Sequence, residues 1–77
     1  MIYGKLRYNY AEQRYGIWTG DDWYIDGLHC GKCFNVYLRE RWIPTRIEFS
    51  DDWYLVGVGL KGYDLEGVEV EYADFYF

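Results

Sequence analysis

The chain is short of what enzymes use. It has one histidine, His29, and one serine, Ser50, and nothing in their spacing brings them together. A nucleophile, its base and an orienting group cannot be drawn from that stock, so no catalytic function is expected. Its two cysteines, Cys30 and Cys33, are too close in sequence to staple distant parts of a secreted domain, and they fit a reducing compartment. No run of 18 apolar residues is present, nor a basic segment leading into an apolar one. Neither a membrane-spanning helix nor a signal peptide is therefore expected, and the location expected is cytoplasmic. Basic residues are scarce in one region: residues 51–77 carry Lys61 against seven acids, whereas residues 1–50 carry seven basic and six acidic groups, within a net charge of −5. The C-terminal third is expected to form an acidic face. That opposes non-specific binding to phosphate backbones and leaves room for a basic protein partner.

Aromatics are abundant. Ten Tyr, four Trp and four Phe make up 23% of 77 residues. A single domain of this length needs a dense core, which rings burying about 150–250 Å² each can supply. A barrel this small cannot hide all eighteen, so some must lie on the surface, where an exposed cluster would mark a binding face and scattered rings would reflect only tyrosine's preference for strands. The chain also carries an internal echo: Asp21-Asp22-Trp23-Tyr24 returns thirty residues later as Asp51-Asp52-Trp53-Tyr54, with Gly27 and Gly57 following at the same offset. Paired aspartates before Trp-Tyr-aliphatic mark a tight turn entering a half-buried strand. Two copies are too few for a solenoid, so the echo is a reused local structure.

Apolar residues recur with period two throughout, and no segment sustains a helical pattern. Ile2, Leu6 and Tyr8 oppose Tyr3, Lys5 and Arg7, and a polar stretch returns the chain into Arg14 to Trp18. Trp23 to Asp26 is a short strand. Phe34, Val36 and Leu38 point inward against Asn35, Tyr37 and Arg39, and a turn at Glu40-Arg41 leads to inward Ile43, Thr45, Ile47 and Phe49. Pro44 places its strand at an edge or bulge. Residues 53–58 are apolar on both faces and predict the most buried strand. Val68, Val70 and Tyr72 face in, with Glu69 and Glu71 out. The fold class expected is all-β: a small, strongly bent antiparallel sheet or SH3-like barrel of six or seven short strands with no long helix. Glycines 57, 59, 62 and 67 supply its bends. The whole chain, 1–77, reads as one β domain: an N-terminal hairpin region (1–26), a core (27–72) and an aromatic tail (73–77) that closes the barrel or hooks outward.

His29, Cys30 and Cys33 form the nearest thing to a metal site. Three ligands without a fourth leave tetrahedral zinc incomplete, and no helix follows to activate a redox thiolate. No metal or other cofactor is expected. Gly57 to Gly62 matches a dinucleotide fingerprint by letter, but it opens no helix and too few residues follow. The aspartate pairs suit turns better than catalysis.

From Arg41-Trp42-Ile43-Pro44-Thr45-Arg46-Ile47-Glu48, through Asp52-Trp53-Tyr54-Leu55-Val56-Gly57, to Leu65-Glu66-Gly67, the chain resembles a family of small uncharacterised domains. That family comes from clostridial and other Gram-positive bacteria and their plasmids, conjugative elements and phages. Leu28-His29-Cys30-Gly31 also resembles it, and the resemblance spans residues 27–72. It implies a mobile-element setting and no known activity. The function expected is a non-enzymatic protein-binding module, an inhibitor or accessory factor of a mobile element such as an anti-defence protein. Tyr3, Tyr10, Tyr24, Tyr37 and Tyr63 are the expected anchors, and Glu66, Glu69, Glu71 and Asp74 meet a basic partner. The alternative is a nucleic-acid binder using Lys5, Arg7, Arg14, Arg39, Arg41 and Arg46.

Overall fold

The computed structural model describes residues 1–73. Eight strands follow the alternation in the sequence: β1 (Ile2–Asn9), β2 (Arg14–Trp18), β3 (Trp23–Ile25), β4 (Cys33–Leu38), β5 (Arg41–Phe49), β6 (Trp53–Leu55), β7 (Leu60–Lys61) and β8 (Glu69–Tyr72). A single 3₁₀ turn, Gly62–Leu65, precedes β8. They form one antiparallel sheet in the order β3-β2-β1-β8-β4-β5-β6-β7, so the last strand is inserted at the centre, between β1 and β4. The sheet curls into a half-barrel whose end strands, β3 and β7, do not pair.

Curling closes the inner face on itself. Leu6, Ile17, Val36, Ile47, Leu55 and Val70 from six strands are fully buried, and Leu28 and Leu65 join them from outside the strands. Each is worth roughly 1.5–3 kcal/mol of burial, an upper estimate against a compact unfolded chain. The Gly27–Lys32 loop bridges the open side. Leu28 donates its N–H to the Tyr15 carbonyl at 2.7 Å, Gly31 donates to Ile47 at 2.8 Å, and Ile47 donates to Lys32 at 3.1 Å. A loop thus ties β2 to β5 where a closed barrel would use a strand pair.

The structure differs from the sequence pattern at several points. The apolar run 53–58 is not one strand: β6 ends at Leu55, because Gly57 (φ 82°) and Gly59 (φ 75°) take left-handed conformations and turn the chain back into β7. The turn before β5 lies at Arg39-Glu40, one residue earlier than expected, with φ of 52° and 65°. Phe49 keeps the inward parity of Ile47 but is 52% exposed, since β5 runs past the core to the rim. Pro44 sits opposite Asn35 of β4, on the half of β5 that β6, paired only at residues 47–49, does not reach. The expected tail from Asp74 onward lies outside the described residues.

Candidate interaction surfaces

The sheet's outer face collects two of the expected anchors, Tyr3 and Tyr37, and two of the expected acids, Glu69 and Glu71. On β1, Tyr3 stands opposite Glu71 and Lys5 opposite Glu69. On the other flank of β8, Asn35 of β4 stands opposite Glu71, and the register carried on places Tyr37 beside Glu69. Tyr37 in turn faces Trp42 of β5. Their rings form a ridge: Tyr3 and Trp42 have centroids 5.8 Å apart, Tyr37 and Trp42 5.1 Å. All three are substantially exposed, at 60%, 39% and 38% for Tyr3, Tyr37 and Trp42. The ridge spans β1-β8-β4-β5, and two carboxylates, Glu69 and Glu71, share its face on β8. Glu71 is held there by the Asn35 side-chain amide, which donates to Oε1 at 2.9 Å. Trp42 was not singled out from the sequence, although its parity opposite Tyr37 marks it as outward.

A second cluster lies at the rim of the concave side. Tyr8, Tyr10, Arg14, Tyr15, Phe49, Asp51, Asp52, Trp53 and Tyr63 are among the residues lining an open groove of about 920 Å³. Expected anchors Tyr10 and Tyr63 are here, 80% and 92% exposed. Glu66 adjoins them, its Oε1 accepting the Tyr8 N–H at 3.0 Å. Tyr15, almost fully buried, donates its hydroxyl to the Gly62 carbonyl at 2.9 Å. Burial first, then the Glu66 and Asp52 carboxylates, push that hydroxyl up to about 12. The acids expected as one face are therefore divided: Asp51 and Asp52 belong to the groove, Glu69 and Glu71 to the outer face.

Tyr24 is not an exposed anchor. It is half-buried against the core, its ring 6.2 Å from that of Tyr72. Asp74 lies outside the described residues. The expected basic set does not converge on one groove: Arg7 stacks over Trp18 at 4.5 Å, Arg14 lies over Trp53 at 5.4 Å, Arg46 pairs with Glu48 at 2.9 Å, and Arg39 and Arg41 flank the β4–β5 turn. Lys5 shares the outer face with the ridge, opposite Glu69. His29 Nδ1 lies 3.4 Å from Arg14 Nη1, and Cys33 Sγ contacts the Gly31 carbonyl. Both cysteines are free and exposed. Among the described residues no three His, Cys, Asp or Glu are grouped to hold a metal ion, and no helix is long and apolar enough to cross a membrane.

Comparison with known proteins places this geometry. A family model described as "Domain of unknown function (DUF5348)" matches residues 4–72, which takes in the N-terminal hairpin that the sequence resemblance left out. A crystal structure of a protein from Ruminococcus gnavus, a structural genomics target, is 42% identical, with a TM-score of 0.78 over 91% of this chain and 99% of that one. No curated protein matches.

Proposed function

Because the chain belongs to the family described as a domain of unknown function (DUF5348), its activity has to be argued from its surfaces, and we propose a non-enzymatic protein-binding module. The observation that carries this is the Tyr3–Trp42–Tyr37 ridge with Glu69 and Glu71 beside it on the same face. Exposed aromatics that pack on one another are already ordered, so docking on them loses little side-chain entropy. Carboxylates among them favour an arginine or lysine, which gains both a ring face and a counter-charge.

The finer reading is an inhibitor or accessory factor serving a mobile element, acting in the cytoplasm. The partner class it favours is a nucleic-acid-handling protein such as a defence nuclease, whose working cleft is basic because phosphate binding requires it. The sequence resemblance to mobile-element domains and the two free thiols support that setting. Direct binding of nucleic acid by this chain is the competing reading. The ridge offers faces on which bases stack, and Lys5 adjoins it, but Glu69 and Glu71 would lie next to the phosphates.

The test is affinity capture from the host's lysate, with and without nuclease, using the wild-type chain and a Trp42→Ala/Glu69→Lys variant. A stoichiometric protein retained after nuclease and lost with the variant is the expected result. Loss of a hot-spot aromatic costs about 2 kcal/mol, roughly thirtyfold in affinity. Recovery abolished by nuclease, together with binding of labelled single strands at low salt, moves the function to nucleic acid.

A further inference from the structure

The rim groove has no part in the docking face above. Its walls are rings: Tyr8 and Tyr10 contact edge to face at 5.0 Å, Tyr8 and Tyr15 at 5.2 Å, and Phe49 and Trp53 at 4.9 Å. Its charges are unbalanced. Asp51 and Asp52 line it and Glu66 reaches Tyr8, against one guanidinium, Arg14. That guanidinium is already engaged, donating to the Leu28 carbonyl at 3.0 Å and lying over Trp53. Arg14 therefore shows within the chain that this surface receives a guanidinium on a ring face. The faces of Tyr10, Tyr63 and Phe49 remain exposed beside three carboxylates.

We infer that the groove is a second binding site, and that its occupant is an extended peptide segment of a partner protein presenting an arginine side chain. A guanidinium stacks on aromatic faces and pairs with carboxylates at once, which a neutral or anionic side chain cannot do. The open volume of about 920 Å³ leaves room for a short extended segment around the arginine. A phosphate-bearing ligand is opposed by Asp51, Asp52 and Glu66.

The probe is the blocked peptide Gly-Gly-Arg-Gly-Gly, with its citrulline counterpart as a neutral isostere, followed by ¹H–¹⁵N correlation spectra of the full chain. Expected are shifts of the Trp53 indole N–H and of the Tyr10, Phe49 and Tyr63 amides with the arginine peptide, absent with citrulline and reduced by salt. Tyr63→Ala and Tyr10→Ala, at positions too exposed to contribute to the core, each weaken binding about fivefold, the loss of one cation–π contact. Equal shifts with both peptides, or none at millimolar concentration, overturn the inference. Shifts at the Trp42 indole and not at Trp53 also overturn it, and they would place the cation on the outer face instead, so the two surfaces fail separately.

Discussion

Tyr15 is the residue on which the groove floor depends, since its hydroxyl joins β2 to the 3₁₀ turn through Gly62. Its proton is held to about 12 in the folded chain, against about 10 for an exposed tyrosine. Above pH 10 the unfolded state loses that proton and the folded state keeps it, so stability is fully present below pH 10 and falls as pH rises toward 12. Thermal melts across this range are expected to show the decline, with one tyrosine ionising last at 295 nm. Tyr15→Phe should cost about 1 kcal/mol at neutral pH by leaving the Gly62 carbonyl unpaired, and should flatten the alkaline decline. Tyr24 shows what single residues do not disclose. Its pattern matches that of an exposed strand tyrosine, but it packs against the core, with Tyr72 from β8 among its neighbours.

At the scale of elements, the repeated Asp-Asp-Trp-Tyr is a repeated hairpin. Asp22 Oδ1 accepts the Trp23 N–H at 2.7 Å and Asp52 Oδ1 the Trp53 N–H at 2.8 Å. In both, the Trp packs edge to face on an aromatic directly across the turn, Trp18 at 5.2 Å and Phe49 at 4.9 Å. The turn and the strand it enters were legible because turn chemistry is local, whereas the ring across each turn was not read from the sequence. The split of residues 53–61 into β6 and β7 was less so, because alternation reports apolarity while two glycines decide where the chain reverses. The β4–β5 turn breaks its own local rule: Arg39 and Glu40 both hold positive φ without glycine or asparagine. A two-residue hairpin of this type prefers Asn-Gly, and left-handed non-glycine residues cost about 1 kcal/mol or more each. Arg39→Asn/Glu40→Gly is therefore expected to stabilise the chain by about 1 kcal/mol, raising Tm by roughly 4–8 °C for a domain this small. A fall in Tm would mean that the two side chains contribute more than the backbone loses. The strained turn adjoins Tyr37 and Trp42 of the proposed docking ridge.

For the whole molecule, alternation and turn spacing revealed the class of fold, but not that β8 would sit centrally or that the 27–32 loop would span the open side, since both are long-range pairings. That insertion is what makes the outer face, for it brings Glu69 and Glu71 between Tyr3 and Tyr37, residues that the sequence keeps far apart. The molecule measures 29 × 26 × 25 Å, about three screening lengths of roughly 8 Å at physiological salt, so charges at opposite ends of it are screened from each other. Once a basic partner is in hand, charge and ring should then act on different rate constants. Glu69 is exposed and reaches into the approach path, so Glu69→Gln should lower the association rate severalfold and lessen its dependence on salt, with little change in dissociation. Trp42 is 38% exposed, and the proposed docking would bury it only in the complex, so Trp42→Ala should leave association nearly unchanged and speed dissociation by about tenfold or more. Surface-plasmon kinetics at 50 and 300 mM salt separate the two. If both variants changed only dissociation, the carboxylates would be contact groups and the molecule's charge would have no part in finding its partner.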